Sequence, residues 1–163
     1  MATRRTLAAF DSFSSAVADA QTLLHNGYER AGVWSLGQCC GHLANWLNYQ
    51  IDGYPPLPLW LKPIFFAIRN TNATKMLNNV NASGTMPTGA KTAPTSIPTA
   101  DITDADGVQR YVCAVERWQA YTGEFVPSPL FGHQPRESWL RLHCVHAAHH
   151  LSFLVPKSLK TEN

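Results

Sequence analysis

The sequence predicts an all-α protein: a four-helix bundle with a short extra helix and a long loop between the second and third main helices. Three observations carry this. Apolar residues recur at helical period in four segments of similar length. Breaks rich in Gly and Pro separate those segments. No stretch alternates apolar and polar residues over a strand's length. Four amphipathic helices of similar length fold most simply as a bundle. At 163 residues the chain is expected to form one domain, 1–163, with a proper core.

The first helix is expected over residues 11–26, with Phe10, Phe13, Val17, Ala20 and Leu24 as its inner stripe and Asn26-Gly27 as its stop. The second, over residues 34–51, carries a capping box. The Ser35 hydroxyl can accept from the backbone three residues on while Gln38 reaches back, and Trp34 can pack on Cys39 as a staple. Leu36, Cys40, Leu43 and Leu47 form one apolar row on it; Cys39, His42, Trp46 and Tyr49 form a second row alongside.

Three prolines end that helix. Residues 59–68, LWLKPIFFAI, then read as a short helix packed on the bundle or as a membrane- or partner-facing patch, and residues 69–77 can continue it. Residues 78–101 are dominated by Asn, Ser, Gly, Thr and Pro, as in a long loop serving as a lid over a site or as a covering strap. The third helix, residues 103–121, opens with Thr103 or Asp104 as cap and Asp106 in its first turn. Pro135 suits the first position of the final helix and Pro156 its end, with a polar tail beyond.

Composition excludes several classes of function. A net charge of +2 with no Lys/Arg cluster argues against a nucleic-acid partner. The most apolar run is about half the length that spans a bilayer, so no membrane span is expected. Arg4-Arg5 is followed by no apolar stretch, which points to a cytoplasmic protein. The dispersed Cys39, Cys40, Cys113 and Cys144 then read as reduced thiols.

Histidine is the odd excess. Of seven, four fall within eight residues of the final helix: His143, His146, His149 and His150. Trp139, His143, His146, His150 and Phe153 share one helical stripe, which should face inward. His146 and His150 stand one turn apart, the spacing that lets two imidazoles hold one ion. With His42 from the second helix they make a three-nitrogen set that leaves coordination positions for water or substrate. Packing several unpaired imidazoles in a core otherwise costs desolvation with no return. A polar core network without metal is the competing reading. Cys39, one turn before His42, is a candidate ligand or oxidisable thiol, and Trp46 and Tyr49 are candidate pocket walls. No carboxylate shares the stripe, which disfavours a carboxylate-bridged di-iron site.

WSLGQCCGHLANW resembles the opening of the second helix in the DinB-like (damage-inducible) superfamily, and HAAHHLSFL resembles its fourth-helix H-x-x-x-H pattern. With the RRTL start, the DGYPP turn, GTMPTGAKTAP and LHCVHAAHHLSFL, the chain is similar over nearly its whole length to an uncharacterised branch of that superfamily. The resemblance implies a four-helix bundle, often a homodimer, with a divalent metal (Zn, Ni, Fe or Mn) on His42, His146 and His150. It also implies metal-assisted activation of a small thiol for transfer to an electrophile. The chain departs from the pattern at Phe153, where relatives often carry Gln, and adds His143 and His149 as supporting partners, alternative ligands or a general base. The choice of ligands on that helix therefore stays open by one position. Two functions follow as expectations: a metal-dependent thiol transferase or hydrolase acting on a small electrophile, or a non-catalytic bundle whose metal or ligand serves stability, sensing or assembly.

Overall fold

The computed structural model describes residues 2–56, 58–86 and 94–157. Among these the chain forms six α-helices and one pair of short strands: α1 (Phe13–Asn26), β1 (Tyr28–Arg30), α2 (Leu36–Asp52), α3 (Lys62–Thr71), α4 (Ala73–Ser83), α5 (Asp104–Ala120), α6 (Arg136–Leu151) and β2 (Leu154–Pro156). Single 3₁₀ turns occur at Leu59–Leu61 and Pro94–Ser96. The molecule is thus mostly helical, as expected.

Local chemistry sets the helix ends. Ser12 caps α1 in a reciprocal pair with Ser15, and Gly27 turns the chain out at φ 75°. The capping box on α2 forms as the sequence predicts, with Ser35 and Gln38 each taking the other's backbone N–H. Thr103 caps α5. Asp104 does something the sequence did not suggest: its carboxylate accepts the Gly37 N–H at 2.8 Å and the Tyr28 hydroxyl at 2.9 Å, so it caps α2 from a neighbouring helix.

Helices α1, α2, α5 and α6 contribute to one core that includes Phe13, Leu23, Leu36, Leu43, Leu47, Tyr111, Trp118, Trp139 and Leu151. α2 lies along α5, and they touch at Gly37 and Gly107, where a Cβ on Gly37 would sit 2.5 Å from the Thr103 carbonyl oxygen. The glycines permit that approach. α4 packs on α6, and α3 packs on α4 and on the 3₁₀ turn before it.

Four expectations need correction. The α1 face is Phe13, Ala16, Ala20 and Leu23, with Leu24 39% exposed. Ala16 and Ala20 are fully buried while Val17 is half-buried, so the inward face is rotated from the predicted stripe. Residues 78–83 belong to α4, closed by Gly84 in the left-handed conformation at φ 66°, so the loop starts later than composition suggests. Its middle, 87–93, and the tail from 158 lie outside the described residues. Pro135 precedes α6 as its N-cap instead of opening it. Finally, α6 stops at Leu151, and Leu154–Pro156 pairs antiparallel with Tyr28–Arg30. Three-residue strands are too short to show an alternating pattern, and their partners are far apart in the chain.

A candidate metal centre between two helices

The α2 register carries His42 to the buried side facing α6, where its side chain is 1% exposed. From α6, His146 and His150 project from successive turns towards it. The His146 Nε2 lies 3.2 Å from the His42 Nε2 and 2.9 Å from the His150 Nε2. One ligand atom from each ring falls within 4.8 Å of the others, so the group can hold a metal ion. Two nitrogens sharing a tetrahedral zinc at bonds of ~2.0–2.1 Å stand about 3.3 Å apart, close to what is seen.

Hydrogen bonding sets the tautomers. The His42 Nδ1 donates to the Ser96 carbonyl oxygen at 3.0 Å, so in the neutral ring the Nε2 lone pair faces the other two histidines. Ser96 stands in the 3₁₀ turn Pro94–Ser96, held over α2 by two more bonds: Asn45 donates to the Ser96 carbonyl at 3.2 Å, and the Tyr49 hydroxyl donates to the Thr95 carbonyl at 2.8 Å. Pro98 rests on Gly41, where a Cβ would meet its Cγ at 2.8 Å. The described end of the loop is therefore a strap across the site. The lid expected over 78–101 includes 87–93, which lie outside the described residues.

Two tryptophans wall the site. Trp34 stacks on His150, with centroids 5.2 Å apart and planes within 5°, and meets His42 edge-on at 5.1 Å. Trp46 lies edge-on at 6.2 Å from both His42 and His146. Its indole N–H is buried and has no hydrogen-bond partner among the described residues. Tyr49 and Tyr54 pack behind Trp46.

Burial is the leading reason all three imidazoles resist protonation. His42 is held down to about 4, burial outweighing the Ser96 bond that pulls the other way. His150 and His146 are pushed well below the ordinary range by burial and then by their neighbouring histidines. Neutral rings with lone pairs available are what a divalent cation requires.

The other candidates have different surroundings. His143 is buried, its Nε2 3.0 Å from the Gln50 Oε1, which also accepts the Trp118 N–H at 2.6 Å; burial holds it down to about 3. It lies among Phe13, Trp118 and Trp139 as a core residue. His149 turns towards the N-terminal segment, its Nδ1 3.5 Å from the Arg4 Nη2 and its ring against Phe153. Cys39 places its thiol 3.9 Å from the His150 carbonyl oxygen, and burial pushes it up to about 12, so it stays a protonated thiol. Ser96, Asn45 and the stacking of Trp34 on His150 were missed by sequence reasoning. A loop carbonyl leaves no trace in residue identity, and in the sequence Trp34 reads as the staple of α2.

Fold and site together define a mostly helical protein with a three-histidine group, capable of holding a metal, between two packed helices. The chain belongs to the family described as "Protein of unknown function (DUF1569)", whose model matches residues 1–157. No curated protein and no solved structure matches it.

Proposed function

We propose that this chain is a DinB-like four-helix bundle in which His42, His146 and His150 hold one divalent metal ion, and that it uses that ion as an enzyme on a small electrophile. One observation carries the metal reading. With His42 donating through Nδ1, its Nε2 is bare. The His146 Nε2 must then face two nitrogens with at most one proton. If it donates to His42, it cannot accept from His150; if it accepts from His150, it meets the bare His42 nitrogen lone pair to lone pair. No neutral arrangement satisfies both contacts, and burial opposes adding a proton. A cation among the three nitrogens satisfies all of them.

The bundle reading is supported by the shared core of α1, α2, α5 and α6. A bound divalent ion lowers the pKa of a thiol or water and so supplies a nucleophile near neutral pH. The chain's own residues would aim the His42 nitrogen through the Ser96 carbonyl, exclude water with Trp34 and Trp46, and offer the unpartnered Trp46 N–H to an acceptor on the substrate.

Incubating metal-loaded protein with low-molecular-weight thiols and a haloarene or epoxide tests this. Turnover should exceed that of the triple alanine variant at His42, His146 and His150; equal rates across Zn, Ni, Mn and Fe would sink the catalytic reading. One observation favours a second reading, a metal held for stability or sensing. His42 is 1% exposed and packed against Trp34, Trp46 and the Ser96 carbonyl, which leaves a substrate little approach to the group. In that case chelation lowers the melting temperature while no substrate turns over.

A further inference from the structure

Residues 59–71, the 3₁₀ turn Leu59–Leu61 followed by α3, include no buried side chain. Leu59, Trp60, Ile64 and Phe66 are 80%, 70%, 49% and 61% exposed. Four large apolar side chains within eight residues form a patch of the kind that marks an interaction surface. Leu61, Phe65 and Ile68 are half-buried, so the segment rests on the protein through one side, with Ile64 at the edge of that side, and leaves its greater apolar load exposed.

Charge identifies the occupant. Lys62 and Arg69 are exposed two helical turns apart, on one flank of the patch, and the Arg69 guanidinium lies 5.7 Å over the Phe66 ring. From residue 53 to residue 100 the sequence carries Lys62, Arg69, Lys75 and Lys91 and no aspartate or glutamate. Two copies meeting face to face through this segment would bring like charges together, with no acid from the segment to pair them. An anionic bilayer supplies both missing complements: an acyl boundary for the apolar side chains and headgroup charge for the cations. A tryptophan on the apolar side suits the membrane interface. No helix among the described residues is long and apolar enough to cross a membrane, so contact would be peripheral.

We propose that residues 59–71 dock the protein on an anionic lipid surface, with Leu59, Trp60, Ile64 and Phe66 entering the acyl boundary and Lys62 and Arg69 meeting the headgroups. This rests on none of the argument about the histidines.

Flotation of the full chain with phosphatidylcholine vesicles, with and without phosphatidylserine, tests it. Binding is expected only with phosphatidylserine and should weaken as salt is raised. The double variant Lys62→Gln/Arg69→Gln should bind roughly thirtyfold more weakly. Trp60→Ser/Phe66→Ser should stop floating with its unfolding temperature unchanged, since neither side chain contributes to the core. Wild-type protein that does not float, or a charge variant that floats as well as wild type, overturns the proposal. So does a Trp60→Ser/Phe66→Ser variant that sediments as a smaller species while wild type ignores vesicles; the patch would then join copies of the chain.

Discussion

The His42 Nδ1 donates to the Ser96 carbonyl oxygen across a separation of 54 residues, and that single bond decides which nitrogen His42 presents to His146 and His150. Asn45, one turn along α2 from His42, donates to the same carbonyl. Asn45→Ala leaves every metal-facing nitrogen in place but loosens the group that aims one of them. Loss of such supporting partners weakens metal affinity by about 10–100-fold, and an indirect partner belongs at the low end. Competition against a chromophoric chelator should show about tenfold weaker binding; unchanged affinity would mean that the strap does not orient His42.

Metal content separates the ligands from their neighbours. Protein purified without an affinity tag should carry stoichiometric metal, and His42→Ala, His146→Ala and His150→Ala should each lose most of it. His149→Ala should keep it, because that imidazole faces Arg4 and Phe153. Elemental analysis in which His149→Ala empties the site and His150→Ala does not would move the ligand by one position.

The two close glycines give a prediction independent of any metal. A Cβ on Gly107 would overlap the backbone of Gly37, which cannot move aside without parting α2 from α5. Gly107→Ala, ordinarily stabilising in a helix, should destabilise the protein by about 3 kcal/mol in denaturant titration. Neutral or improved stability would show that the helices can separate at that point.

How far the sequence revealed all this depends on the range of the interaction. The α2 start was readable because Ser35 and Gln38 are three residues apart and cap each other locally. His146 and His150 were readable for the same reason, as a one-turn pair. His42 needed only the inference that α2 and α6 face one another. What stayed hidden is built across the chain: Asp104 capping α2, Ser96 aiming His42, and the pairing of Tyr28–Arg30 with Leu154–Pro156. Residue type alone could not separate His143 from His146. Both lie on the predicted stripe, but α6 is buried around much of its circumference, so one histidine meets Gln50 in the core and the other meets His42.

The buried histidines also fix the sign of the pH dependence. His42 and His143 have folded values of about 4 and about 3, against an ordinary value of 6.5. Below pH 6.5 the unfolded chain takes up protons that the folded chain refuses, so stability is full above that pH and falls as pH drops towards the folded values. Each group contributes a slope of about 1.4 kcal/mol per pH unit within its window. Denaturant titrations of chelator-treated protein should therefore weaken steadily from pH 6.5 towards 4. His143→Gln, which can still donate a hydrogen bond to Gln50, should show a shallower fall by about one histidine's share. With metal bound, the liganded rings are protected from protons until the ion leaves, so the decline should begin at lower pH and be steeper. Stability that stays flat between pH 6.5 and 5 in the chelated protein would show that these imidazoles reach solvent and are not held neutral by the core.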